Sequence, residues 1–232
     1  DLSRANPHLG EIEFANNESI TATRFIGDLL YVVTFLRIDP LFVIDLSEPA
    51  HPRLLSELEI PGFSTYLQPH GDDALLSIGM EGSQIAVSWF DISDPSNTSL
   101  ASRVFIGAQD GWSWTEANWD EKAFGYFPNE GLLLVPYQGA VPGEGWKSGV
   151  QLVELGDQKL ILRGAIDHKF RARRARVIGD ALVSISGRAL RSLDISDRDH
   201  PQLLSELILA WPVDLVHRVG THPIPLERSG SI

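Results

Sequence analysis

Cysteine is absent from the 232-residue chain. Structural disulfides, thiolate metal sites and a cysteine nucleophile are thereby excluded. The compartment stays open, because periplasmic and cytosolic proteins alike do without cysteine. Long apolar runs are missing too, and none approaches the ~20 residues that a membrane-spanning helix needs. The chain begins Asp1-Leu2-Ser3, with no basic start and no apolar core of a secretion signal. If the native protein carries such a signal, it lies upstream of Asp1.

Positive charge is in short supply. The 19 Lys and Arg stand against 31 Asp and Glu, a formal net charge of -12. A phosphate backbone is gripped by surplus cations, so a nucleic-acid partner is not expected. Catalytic signatures are missing as well. The seven histidines form neither His-x-x-x-His nor His-Glu-x-x-His, the spacings that place two ligands on one helix face for zinc. There is no Gly-x-Ser-x-Gly elbow and no phosphate-binding glycine loop. Gly143-Glu144-Gly145 is not a dinucleotide fingerprint, because no helical pattern follows it. No cofactor and no metal are therefore expected. His70, beside Asp72 and Asp73, would need a further convergent ligand to hold an ion.

What the sequence has is a repeat. Asp45-Leu46-Ser47-Glu48-Pro49 is followed by Pro52 and Leu54-Leu55-Ser56-Glu57-Leu58. The phrase returns as Asp194-Ile195-Ser196-Asp197, Pro201 and Leu203-Leu204-Ser205-Glu206-Leu207, and in part as Asp91-Ile92-Ser93-Asp94-Pro95. Its tail appears at the start, as Asp1-Leu2-Ser3, Pro7 and Leu9-Gly10-Glu11-Ile12. A second phrase precedes it: Phe25-Ile26-Gly27-Asp28-Leu29-Leu30, later Val177-Ile178-Gly179-Asp180-Ala181-Leu182, and between them Gly71-Asp72. The period from Asp1 through Asp45 to Asp91 is about 45 residues, within the propeller range.

Each phrase has a local cause. Gly-Asp between apolar runs marks a tight hairpin, since glycine supplies positive φ. The Asp of Asp-Leu-Ser accepts a bond from the backbone two residues on, and proline stops the strand. Runs such as Leu29-Leu30-Tyr31-Val32-Val33 are apolar on both faces, as a sheet covered on both sides requires. The reading is all-β: a β-propeller of four-stranded antiparallel blades, about four full blades with partial blades at both ends. The units fall at approximately 18–60, 63–106, 113–167 and 172–209. A two-sheet sandwich would also have short strands, but it leaves the repeat unexplained. The whole of 1–232 is either one propeller domain or, the favoured reading, a fragment of a longer one.

The stretch Arg24-Phe25-Ile26-Gly27-Asp28, Tyr31-Val32-Val33-Thr34-Phe35, Asp39-Pro40-Leu41-Phe42-Val43-Ile44-Asp45-Leu46-Ser47 and Ile60-Pro61-Gly62-Phe63-Ser64 resembles one family closely. It is the family of secreted bacterial and archaeal proteins with a C-terminal β-propeller distantly related to WD-type repeats. Glu121-Lys122-Ala123-Phe124, Gly131-Leu132-Leu133 and Val177-Ile178-Gly179-Asp180 are similar to it more loosely. The resemblance implies a propeller in an exported, often surface-held protein. It implies no activity and carries over no site residue.

Candidate site residues come from topology. In an up-and-down blade, the loops between blades and the middle loop of each blade emerge at one end. Those loops carry Phe63, Trp112, Trp114, Trp146 and Trp211, with Arg37, Asp39, Glu81, His168, Arg171 and Arg173. The candidate binding residues are Trp112, Trp114 and Trp146, with Asp110, Glu116 and Glu144 as polar contacts. The alternative is that these rings only cap blade interfaces. The run Arg171, Arg173, Arg174 and Arg176 is either a solvated strand edge or a contact for an anion. Two functions follow: an extracytoplasmic binding scaffold for a protein, peptide or glycan, or a propeller enzyme acting on a polysaccharide or other extracellular substrate. A tight cluster of carboxylates with a histidine would favour the enzyme; a broad aromatic face favours binding.

Overall fold

The glycines at the expected hairpins take positive φ: 57° at Gly27, 64° at Gly71 and 59° at Gly179. L side chains rarely adopt that conformation, so the Gly-Asp positions turn the chain where other residues would strain it. The computed structural model describes residues 9–15, 18–35, 39–107, 111–179, 181–210, 215–219 and 222–226. Asp180, the second half of the last Gly-Asp pair, lies outside the described residues.

The turns fold the chain into successive antiparallel meanders. The first sheet is β1 (Ser19–Ile26), β2 (Leu29–Phe35), β3 (Asp39–Asp45) and β4 (Arg53–Ile60). The second is β5 (Phe63–His70), β6 (Ala74–Glu81), β7 (Gln84–Asp91) and β8 (Ser99–Ile106). The third has five strands: β9 (Trp112–Trp114), β10 (Gly125–Phe127), β11 (Leu132–Val141), β12 (Gly145–Leu155) and β13 (Leu160–Asp167). The fourth is β14 (Ala172–Ile178), β15 (Ala181–Ser186), β16 (Ala189–Asp194) and β17 (Gln202–Ile208). A two-stranded ladder, β18 (Leu215–Val219) with β19 (His222–Leu226), follows. The all-β propeller class expected from the repeat is the class observed.

The first three sheets are covered on both faces, and this explains their unbroken apolar runs. Leu75 joins Tyr31, Val33, Leu41 and Phe90 between the first and second sheets. Its neighbour Leu76 points the other way, into Val87, Leu133 and Val153 between the second and third. Leu132 and Leu134 meet Leu182 and Leu193 between the third and fourth. These side chains are fully buried, each stabilising the fold by roughly 1.5–3 kcal/mol. The segment 9–15 covers the remaining face of the first sheet, where Ile12 and Phe14 pack on Val32, Phe42 and Ile44.

First strands of neighbouring sheets are tied by polar bonds. Thr21 Oγ1 donates to Ser64 O at 2.9 Å, and Arg24 Nε donates to Leu67 O at 2.8 Å. At the opposite edge of the first, second and fourth sheets the Asp-x-Ser turn is fixed as expected. Ser47 N donates to Asp45 Oδ1 at 2.8 Å, Ser93 N to Asp91 Oδ1 at 3.0 Å and Ser196 N to Asp194 Oδ1 at 2.8 Å.

The third sheet departs from the expected pattern. The chain from Trp112 does not form its inner strand. β9 instead pairs with the far end of β11, and two single-turn 3-10 helices, Glu116–Asn118 and Glu121–Ala123, fill the inner position ahead of short β10. Thr115 and Asp120 cap those turns, accepting from Ala117 N and Lys122 N. Trp146, expected in the middle loop of its blade, lies in a strand instead: residues 138–148 lengthen β11 and β12, leaving only 142–144 as a turn. The added residues find cross-strand partners on each other, so they stay in the ladder.

Candidate functional site

The lengthened hairpin determines where the tryptophans stand. Ala140 pairs with Trp146 on one side and with Trp112 on the other, so the three side chains share one face. The small alanine leaves room for the two rings to meet above it. Their centroids are 5.8 Å apart with planes tilted by 35°. Trp112 is 43 % exposed and Trp146 60 % exposed.

One row further along, Gln138 pairs with Trp114 and with Ser148, which places Trp114 on that same face. Its ring is half-buried, and the Arg171 guanidinium lies 4.4 Å from its centroid. Arg171 and Arg173 both reach the Glu116 carboxylate, at 3.3 and 3.2 Å, and Arg174 pairs with Asp120. The basic run is therefore largely neutralised by acids of the 3-10 turns. Beside it, the Arg188 guanidinium lies 4.2 Å from the Phe170 ring centroid. Ser148 Oγ donates to Phe170 O at 3.3 Å, which ties β12 to the segment that carries Phe170.

Glu144 stands in the turn at the hairpin tip, exposed, and pairs with Lys147 at 3.2 Å. The two help line a cleft of about 350 Å³ on the opposite side of the hairpin, with Tyr137 and Asp167. Burial, and secondarily the Asp167 charge, raises the Tyr137 hydroxyl above the usual phenol range. Asp110, Arg37 and Trp211 lie outside the described residues, as does the side chain of Asp39. Phe63 pairs with Phe35 at 5.4 Å, and Glu81 is held by Arg103 at 2.6 Å.

Trp119 was not among the sequence candidates, and it is 79 % exposed. It caps the first 3-10 turn, between the acids that meet the arginines. Only the unusual Trp-Asp-Glu step after Ala117-Asn118 could have hinted at it, since a turn leaves its capping side chain outside the packed strands.

His168 is buried and lines one cavity with Phe170 and Arg188. Its Nε2 is 2.9 Å from Ser184 Oγ. Burial, then the Arg191 charge, pushes its pKa down to about 4. His70 is instead part of an aromatic cluster, with Nδ1 3.0 Å from Tyr126 Oη and its ring edge-on to Trp89. Among the described residues, no three His, Asp or Glu side chains gather where they could share an ion. The arrangement presents two touching, solvent-open indole rings with ion pairs beside them.

A family model described as a beta propeller domain matches residues 7–206. An uncharacterized protein of Methanocaldococcus jannaschii is 32 % identical over 191 residues, 82 % of this chain and 28 % of that protein. An uncharacterized protein of Archaeoglobus fulgidus is 38 % identical over 129 residues, 55 % of this chain and 20 % of that protein. The chain thus spans less than a third of the length of either relative. Among solved structures, the computationally designed protein Ika4 is similar at a TM-score of 0.47 and 15 % identity, covering 78 % of this chain and 93 % of that one. Among the described residues, no helix is long and apolar enough to cross a membrane.

Proposed function

The chain belongs to the beta propeller domain family, and from that premise we propose that it is part of an extracytoplasmic, non-catalytic binding scaffold. The ligand is a protein, peptide or glycan held on the long hairpin of the third sheet and the strand that flanks it. The observation that carries this reading is the Trp112–Trp146 pair: two large rings in contact, both open to solvent, on a hairpin that extends beyond the sheet. A ring fixed in a ladder has few rotamers to lose, so it binds at low entropic cost. Trp114 under Arg171, and Glu116 with its two arginine partners, supply polar groups beside the pair, whereas Glu144 and Lys147 stand on the hairpin's other side. Export to the cell exterior rests on the resemblance to secreted propeller proteins and on nothing in the site itself.

The test is a paired array experiment. The wild-type chain and Trp146→Ala are probed against immobilised glycans and peptides, with circular dichroism confirming that both fold. Loss of the wild-type signal in the variant supports the site. A signal that survives Trp146→Ala unchanged moves binding to another surface and overturns this assignment.

A further inference from the structure

The fourth sheet repeats the residues by which the first sheet holds the second, yet in the fourth they face solvent. Arg24 and Arg176 occupy the same place in the Arg-x-Ile-Gly-Asp phrase. Arg24 donates to Leu67 O of the neighbouring sheet and lies 5.3 Å from the Tyr66 ring centroid. Arg176 is exposed and makes no ion pair among the described residues. Ser56 donates to Pro95 O in the next sheet's turn at 2.8 Å; Ser205, its counterpart, is exposed. Ile26, Leu55 and Leu58 pack into the cluster between the first and second sheets. Their counterparts Ile178, Leu204 and Leu207 are all exposed, Leu207 by 59 %.

These residues form one surface. Arg176 pairs with Val183, Ile185 with Leu190 and Leu190 with Leu207, so their side chains stand on the face opposite the buried Leu182 and Leu193. Arg176, Ile178, Val183, Ile185 and Leu190 line a groove of about 470 Å³ there. Contiguous exposed apolar surface of this kind marks an interface.

We propose that this face is the seat of a fifth sheet, and that β18 and β19 are that sheet's inner two strands. The ladder matches the first hairpin of the other sheets. Val219 pairs with His222 across a two-residue connection, as Ile26 pairs with Leu29 and Ile178 with Ala181. β18 also follows β17 in the chain as β5 follows β4 and β14 follows β13. In the seated arrangement Arg176 donates to a backbone carbonyl of β18, as Arg24 does to Leu67, and Leu204 and Leu207 are covered as Leu55 and Leu58 are. The interface is continuous in kind with the three sheet-to-sheet contacts already in the molecule.

The chain lacks cysteine, so introduced thiols are the only ones present. The full chain carrying Arg174→Cys on β14 and Val216→Cys on β18 is treated, when dilute, with a short bis-maleimide, and the linked peptides are identified by mass. The control pair is Ile20→Cys, on an exposed site of β1, with Val216→Cys. A seated β18 holds its thiol near Arg174→Cys at a high effective concentration, so about tenfold more intramolecular link is expected than in the control. Adding Leu207→Asp should return the yield to the control level. Equal yields for the two pairs, or a yield indifferent to Leu207→Asp, would overturn the proposal. Links found only between chains would assign the face to a second copy instead.

Discussion

A Cβ placed on Gly139 would lie 2.3 Å from the carbonyl oxygen of Trp112. Glycine at this position lets β9 close onto β11, and that closure brings Trp112 to Trp146. The backbone oxygen cannot swing away as a flexible side chain would, so any larger residue separates the strands.

Gly139→Ala is therefore expected to destabilise the chain by about 1–3 kcal/mol in urea titrations. It should also weaken the exciton couplet that two touching indoles give in circular dichroism. Trp146→Ala should abolish the couplet while leaving the urea midpoint within about 0.5 kcal/mol, since its ring is mostly in solvent. A couplet that persists in Trp146→Ala would mean that these two rings do not interact.

His168 makes stability depend on pH. Its folded pKa, about 4, lies below the usual histidine value near 6.5, so the unfolded chain binds a proton that the fold excludes. The contribution is complete above pH 6.5 and is lost as pH falls from there towards 4. Its size is on the order of 3 kcal/mol. Unfolding measured between pH 7 and 5 should show the loss in the wild type. His168→Gln should flatten that slope.

The Asp-x-Ser turns act in a lower window. Bonds from Ser47 and Ser196, and for Asp45 also Arg53, hold the Asp45 and Asp194 carboxyls below the usual carboxylate range; Ser93 does the same for Asp91. Depressed carboxylate values add stability that is present above the unfolded pKa near 4 and is lost as pH falls through the folded values. The Asp45→Asn, Asp91→Asn, Asp194→Asn triple variant should lose less stability on acidification below pH 4 than the wild type does. Asp45→Ala and Asp194→Ala should lower the urea midpoint at pH 7, and an unchanged midpoint for both would remove their assigned role.

Glu154 on β12 joins two sheets. It accepts from Arg163 at 3.1 Å and from Arg198, in the turn of the fourth sheet, at 3.0 Å. Arg163 chiefly, with Arg198, holds its carboxyl below the usual range. Glu154→Gln should cost about 1 kcal/mol, and the cost should shrink at ~1 M salt, where exposed pairs are screened. An effect that is independent of salt would point to packing rather than charge.

The fold was legible because its determinants are local. Gly27-Asp28 specifies a turn within two residues, Asp45 fixes its own turn through Ser47, and the apolar runs of β2 and β3 announce a sheet covered on both sides. The third sheet was read less well. Its inner strand is cut to short β10 behind two capped 3-10 turns, and residues 138–148 joined the ladder rather than looping, because they could satisfy one another's backbone bonds.

By itself the sequence determined the propeller class, the hairpin positions, the Asp-x-Ser turns and the absence of thiol chemistry. Each of these depends on residues a few positions apart or on a repeat that can be read along the chain. Only the tertiary structure decided that Trp112 touches Trp146, that Trp119 is the more open ring, and that Glu116 meets Arg171 and Arg173. Glu116 and Arg173 are 57 positions apart. Their meeting depends on cross-strand register and on how one sheet stacks on the next, and neither is written in the neighbourhood of either residue.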